Sequence, residues 1–393
     1  METLNLRLEA LTPVRIGSYV GQITPYDYVI SGGNCYVISD DKLSAFLGEK
    51  GLIEDFSEAI RRKGQAFNIG DYLASNGVSD EAGLKSLSRY VVQVHGNARP
   101  LQMMPLIRDV GNKPYVPGSS IKGAIRTAVI YNYLKGLKSS DQRRFEQDFI
   151  RKIERRITDI EQRERRRPAR GSKGFAKRIV EEGIAQYFDL ERYTRRDGSY
   201  LHDPHTDIFR CLKVTDALPS KPHNRIYDFR VLDKQNNGSL SFESPIFAEA
   251  LSPGAAFEFT LSWDAWLAER FKERNELLVD GLEQILQACR VFVSDQIEWE
   301  REFFESCGKG DRDPGKIIDS LSTMEADIRL GWGSGLVGAS LSMLLPEPTR
   351  KRLRDLFYRR GSSAVRDFPK SRRVMVENEK PVSLLGFCKL IVL

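Results

Sequence analysis

The sequence predicts an α+β fold of two units with antiparallel sheets, each carrying helices on one face, plus a basic helical insertion. Three observations lead there. Stretches with the two-residue period of strands are interspersed with helix-period stretches in both halves of the 393-residue chain. Two glycine-rich segments, "YVPGSSIKGAIRTA" and "LGWGSGLVG", sit at loosely comparable places, although the halves are too dissimilar to form a repeat. Residues 138–190 turn helical and strongly basic. The expected division is 1–230, carrying the insertion, and 231–393.

Taken in order, Leu4, Leu6, Leu8 and Ala10 alternate with polar neighbours, which predicts a half-buried strand. "YDYVIS" and "NCYVISD" flank the turn "GGN" and predict a hairpin. Asp40 or Asp41 caps the expected helix "DKLSAFLGEKG", which Gly51 ends. Residues 56–93 mix helical and turn signals and close on the strand-like "YVVQVHG". After the first glycine segment and the basic insertion, strands return in "DIFRCLKVTDAL" and "RIYDFRVLD". "SLSFESPIFAEALSPGAAFEFTLSW" reads as strand, turn and strand, with "LSPG" as the turn. Helices follow to about residue 307, "RKRLRDLFYRR" is helical, and "PVSLLGFCKLIVL" reads as a buried strand.

Hydrophobic residues at 41%, with 10% aromatic, suffice for real cores. The five cysteines are scattered without CxxC spacing, which predicts reduced thiols rather than a disulfide frame or a zinc site. The N-terminus lacks a signal-peptide layout and no apolar run has membrane-spanning length, so the expectation is a cytoplasmic protein with no membrane partner. The net charge of +6 is modest but unevenly placed.

The first glycine segment opens a helix in an unusual way. Pro117 suits the first turn, Ser119 or Ser120 an N-cap, and the free N–H groups there favour an anion. Ser119, Lys122 and Arg126 share one face by their spacing, opposite a buried stripe of Ile121, Ile125, Ala128 and Val129. Gly118 and Gly123 have Walker A spacing, but Ala124 and Ile125 stand where that motif needs Lys and Ser/Thr. A phosphodiester demands less than a nucleoside triphosphate, and this helix start suits it. In the second segment, Gly333 to Gly338 match the dinucleotide fingerprint. The short "ASLSMLLPEP" and the helical context of Asp355 argue against a Rossmann unit. Gly331, Gly333 and Gly335 then mark a backbone that approaches a ligand or a neighbouring element, with Trp332 and Ser334 as its side chains.

"LTPVRIGS", "YVPGSSIKGAIRTA", "LGWGSGLVG" and "RCLKVTDA" together resemble the RAMP superfamily of CRISPR proteins. The N-terminal block is most similar to the fifth Csm subunit of type III-A effector complexes. The resemblance implies two ferredoxin-like (RRM-like) domains whose glycine-rich loops contact RNA. It implies a non-catalytic subunit that caps the 3′ end of the guide (crRNA) beside the repeated backbone subunit and assists guide maturation. Target RNA would lie nearby, and host ribonucleases would be recruited. On this basis Arg15, Gly17, Gly118, Ser119, Ser120, Lys122, Gly123 and Arg126, with Gly331, Gly333, Ser334 and Gly335, are expected at the RNA or the neighbouring subunit.

Residues 162–178, "QRERRRPARGSKGFAKR", hold eight basic residues against one acid. Such a block repels itself unless a polyanion is near, which adds Arg166, Arg170 and Lys173 to the expected RNA contacts. The alternative function is an endoribonuclease that trims precursor guide. Its candidates are His95 and the cluster His202, Asp203, His205 and Asp207, which also has the residue types of a metal site. No cofactor and no metal are expected.

Overall fold

The computed structural model describes residues 1–18, 21–96, 102–166, 193–194, 200–201, 207–272, 279–308, 310, 312–358 and 369–393. The alternation at the start of the chain forms the strand Glu2–Ala10, with Leu6, Leu8 and Ala10 buried. It lies inside the first of two large sheets, whose order is Ile328–Arg329, Phe387–Val392, Glu2–Ala10, Ala256–Trp263 and Leu212–Val214. Leu218–Lys221 also pairs with Ala256–Trp263, and every pairing in this sheet is antiparallel.

Two long helices, Gly118–Ser140 and Leu282–Glu305, cover this sheet. The expected stripe of Ile121, Ile125, Ala128 and Val129 is buried, in one core with Leu6, Phe257 and Ile285. Burial of such apolar area is the main driving force here, at about 25 cal/mol per Å². Polar groups pin the two helices together. Asp295 accepts from the Tyr131 hydroxyl at 2.7 Å and from Lys135 Nζ at 2.6 Å.

The second sheet has the order Lys380–Ser383, Ser371–Glu377, Asn224–Lys234, Ser88–Val94, Asn34–Ile38 and Tyr28–Ser31. Leu240–Phe242 and Ile246–Leu251 also pair with Asn224–Lys234. The expected hairpin is present, with Tyr28 opposite Val37 across the glycine turn. One pairing departs from the antiparallel expectation, because Ser88–Val94 and Asn224–Lys234 run parallel. The helices Asp40–Lys50, Ile53–Lys63, Ile69–Ser75 and Glu81–Leu87 fill the connection from Ile38 to Ser88 and pack a core of their own around Phe67 and Leu73.

The division at 230/231 falls inside the strand Asn224–Lys234, and both sheets take strands from both sides of it. The helical run after residue 138 packs onto the body in its described part. Phe145, Phe149, Ile153 and Ile157 are buried in the core of the first sheet, and Arg352 bonds Glu161 from the helix Glu347–Tyr358. Ser39, not Asp40 or Asp41, occupies the cap position of the helix Asp40–Lys50.

Candidate nucleic-acid interface

The four sequence segments singled out above come together as two pairs. "PGSSIKGAIR" meets "RCLKVTDA". The Gly118 N–H donates to Asp216 Oδ1 at 2.7 Å, and Val116 bridges to Ala217. A β-carbon at position 118 would stand 2.5 Å from the Val214 carbonyl oxygen, so the helix start can lie this close to the strand only as glycine. "LTPVRIGS" meets "LGWGSGLVG". The Trp332 N–H donates to the Arg15 carbonyl at 2.8 Å, and Gly331 lies against that same carbonyl. The two pairs are joined through residues 106–117: Gly17 bridges to Leu106, and the Ile107 N–H donates to the Ile16 carbonyl at 3.1 Å.

The helix start does not present its cations as their spacing suggested. An internal carboxylate, Asp216, already occupies the positive end of the helix dipole. Lys122 Nζ turns inward to the Leu212 carbonyl at 2.7 Å, and burial pushes its pKa down. Arg126 pairs with the buried Asp207 at 3.0 Å and lies over the Phe209 ring. Asp207 also accepts the Phe209 N–H at 2.7 Å, so this member of the histidine–aspartate cluster anchors a turn. The open face of the helix is instead Ser119, with Ser120 half-buried beside it, and Gly123. A β-carbon at Gly123 would meet nothing within 4 Å. That face carries two serines and no charged group of its own, and it leaves the backbone open to a ligand at Gly123.

At the second loop, Gly331 (φ 77°) and Gly335 (φ 64°) are exposed and hold left-handed backbone, while Gly333 packs on Leu385. Ser334 is buried, its hydroxyl donating to the Gly331 carbonyl at 2.9 Å, which ties the loop to itself. Arg15 is only 7% exposed; its guanidinium bonds the Pro105 carbonyl at 3.3 Å and lies 5.5 Å from the Trp332 ring. Arg373 also lies against that ring, at 4.7 Å, and Phe229 meets it edge-on. Arg15 therefore supports the loop from within, which a lone Arg next to a strand exit does not announce. Gly17 is exposed.

Beneath the loop lies a buried ion cluster that sequence reasoning missed. Glu300 accepts from Arg329 Nη1 at 2.9 Å and from Arg372 Nε, and all three are at least nine-tenths buried. Burial alone would raise the Glu300 pKa, but Arg372 and Arg329 hold it below the usual carboxylate range. Gly338, just past the loop, packs against Arg329 of this cluster and against Gln296. The three charged residues come from three distant segments, so no local pattern marks them.

His95 lies against Tyr227 with the two rings tilted by 35°, and its Nε2 is 3.4 Å from Glu377 Oε1. His202, Asp203, His205, Arg170 and Lys173 lie outside the described residues, as does the side chain of Arg166. Among the described residues no group of three or more His, Cys, Asp or Glu is placed to hold a metal ion, and no helix is long and apolar enough to cross a membrane.

Comparison with known proteins follows the same segments. The family model of the RAMP superfamily matches residues 7–337, a span that takes in three of them whole and the fourth as far as Val337. The chain belongs to the RAMP superfamily. It is 21% identical over 428 residues to a Methanocaldococcus jannaschii protein named CRISPR system Cms protein Csm5, covering 99% of this chain and 88% of that protein. Its fold resembles a chain in the cryo-EM structure of a Csm–crRNA–target RNA ternary complex of a type III-A CRISPR-Cas system. That match has a TM-score of 0.69 and 23% identity, over 99% of this chain and 100% of that one. It also resembles the crystal structure of T. onnurineus Csm5, with a TM-score of 0.65 and 23% identity over 98% and 99% of the two chains. Both the M. jannaschii and the T. onnurineus proteins carry the name Csm5.

Proposed function

We propose that this RAMP protein is a non-catalytic RNA-binding and assembly subunit of a type III-A Csm interference complex. It caps the 3′ end of the crRNA beside the repeated backbone subunit and assists crRNA maturation. The observation that carries this reading is the likeness, over nearly the whole chain, to Csm5 proteins and to a chain of a complex that contains crRNA and target RNA. In this reading the two sheets are the cores of two interleaved RRM-like units. The strand of RNA runs along Ser119, Ser120 and Gly123, and past the loop at Gly331 and Gly335. Arg15, Lys122, Arg126 and Ser334 hold those two elements in place, and the basic run with Arg166, Arg170 and Lys173 supplies charge to the phosphates. The partners are crRNA, target RNA nearby, the backbone subunit and recruited host ribonucleases.

The test uses fluorescence anisotropy of a labelled crRNA against the full chain across salt concentrations. Affinity should fall linearly on log–log axes as counterions are released. Gly123→Glu places a carboxylate on the open helix face, and should weaken binding about tenfold at low salt without lowering the melting temperature. Equal affinity of parent and variant at every salt concentration refutes the helix as an RNA seat. Cleavage of labelled precursor by the pure chain, with or without Mg²⁺, would turn the assignment to the ribonuclease alternative.

A further inference from the structure

The buried cluster beneath the second glycine loop does not balance its own charge. It holds two guanidinium groups, Arg329 and Arg372, and the one carboxylate of Glu300 between them. The three side chains are 1%, 6% and 1% exposed. Among the described residues neither arginine has a second ion pair. Burial pushes the Arg329 pKa down; Glu300 opposes that and Arg372 adds to it, with no other carboxylate taking part. One positive charge is thus enclosed without a counter-charge, which is strongly unfavourable in a protein interior.

The same place gathers three polar atoms with no hydrogen-bond partner. Arg329 spends Nη1 on Glu300 and Nε on the Leu385 carbonyl at 3.0 Å, and its Nη2 is unbonded. Arg372 spends Nε on Glu300 and Nη1 on the Pro369 and Ser371 carbonyls at 2.9 and 3.1 Å, and its Nη2 is unbonded too. Gln296 lies one turn before Glu300 on the helix Leu282–Glu305, is 1% exposed, and its Oε1 meets no donor. A β-carbon at Gly338 would stand 3.2 Å from Arg329 Cδ and 3.3 Å from Gln296 Oε1, so these two side chains flank one point. The Phe387 ring lies 4.5 Å from the Arg329 guanidinium and the Phe303 ring 3.8 Å from that of Arg372. Such apolar walls keep the local dielectric low, so an opposite charge at these donors is held strongly. A water molecule would accept the N–H groups but leave the charge. An anion answers both, and a half-turn of the Gln296 amide gives it a further donor. The single excess charge calls for a monovalent ion, since a phosphate or sulfate dianion would reverse the imbalance.

We propose that Arg329, Arg372 and Gln296 hold a small monovalent anion of the halide class, enclosed beneath the second glycine loop. With the ion bound, the support under that loop is electrically neutral. This holds whether or not the loop contacts RNA.

The test follows thermal unfolding of the full chain in mixtures of sodium chloride and sodium gluconate at constant ionic strength, so that screening is fixed. Linkage makes the melting temperature rise with chloride, by about 2 °C per tenfold once the site fills. Gln296→Glu puts a fixed carboxylate in the place of the ion. It should raise the melting temperature in pure gluconate and remove the chloride dependence. Where charge already balances, a new buried carboxylate lowers stability instead, so the sign of this change is decisive. Arg372→Met deletes the excess charge and should also unfold independently of chloride. Should that variant fail to fold, crystals of the parent grown in sodium bromide decide: an anomalous peak should stand in hydrogen-bonding contact with both guanidinium groups. Equal melting temperatures in chloride and gluconate overturn the proposal, as does destabilisation by Gln296→Glu. So does a chloride dependence that persists in either variant, or density at the site that scatters as water.

Discussion

Asp216 accepts the N–H of Gly118 at 2.7 Å from 98 residues away in the chain. The helix Gly118–Ser140 has no side-chain cap from its own N-cap residue, Pro117, so a remote carboxylate does that work. It also neutralises the positive end of the dipole. Asp216→Ala should lower stability by about 1 kcal/mol, the usual cost of a lost cap, read as a shift of the urea midpoint.

Two glycines of this helix should respond oppositely to alanine. Gly118→Ala drives a methyl into the Val214 and Thr215 carbonyls and should destabilise by about 1–3 kcal/mol or prevent folding. Gly123→Ala meets open space and should stabilise by up to about 1 kcal/mol through helix propensity. Thermal melts of the pair decide whether the first glycine serves packing and the second leaves room outside the protein.

The second loop offers a similar contrast. At Gly331 a β-carbon would overlap the Arg15 carbonyl oxygen, in addition to the left-handed backbone. At Gly335 the backbone is left-handed but the space is open. Gly335→Ala should therefore cost about 1 kcal/mol and Gly331→Ala clearly more, with hydrogen exchange accelerated at Trp332 only in the latter.

Glu300→Gln leaves Arg329 and Arg372 buried without their counter-charge and should cost about 3–5 kcal/mol. The pH dependence has a definite sign. A carboxylate with a depressed folded pKa contributes stability that is complete above its ordinary pKa, near 4.5, and is lost as pH falls through the lower folded value. The parent should lose stability on acidification below about pH 4.5, and the Gln variant should lack that component. Denaturant melts from pH 6 down to about pH 3 would show it; parallel curves for both proteins would refute it.

Lys122→Met keeps the apolar stem and removes the bond to the Leu212 carbonyl. Because burial already disfavours the ammonium, the lost bond and the relieved desolvation offset, and stability should change by less than about 1 kcal/mol. crRNA affinity should stay within about twofold of the parent. A large loss of affinity with unchanged stability would mean that Lys122 reaches the RNA after all.

The sequence by itself determined the local elements: the alternation of Leu4, Leu6 and Leu8, the "GGN" hairpin, the buried stripe from Ile121 to Val129 and the turn at "LSPG". These are set by period and turn chemistry, which act over a few residues. It also marked Gly118, Gly123, Gly331 and Gly335 as places of close approach, since a glycine inside an element carries a cost that asks for a reason. Only the tertiary structure decided which approach each one serves. Gly118 and Gly331 admit the protein's own backbone, Gly123 and Gly335 leave space open, and Lys122, Arg126 and Arg15 turn inward. Asp216, Asp207 and the Glu300 cluster reach these places through strand pairing and helix packing across most of the chain, and no short-range pattern carries that information.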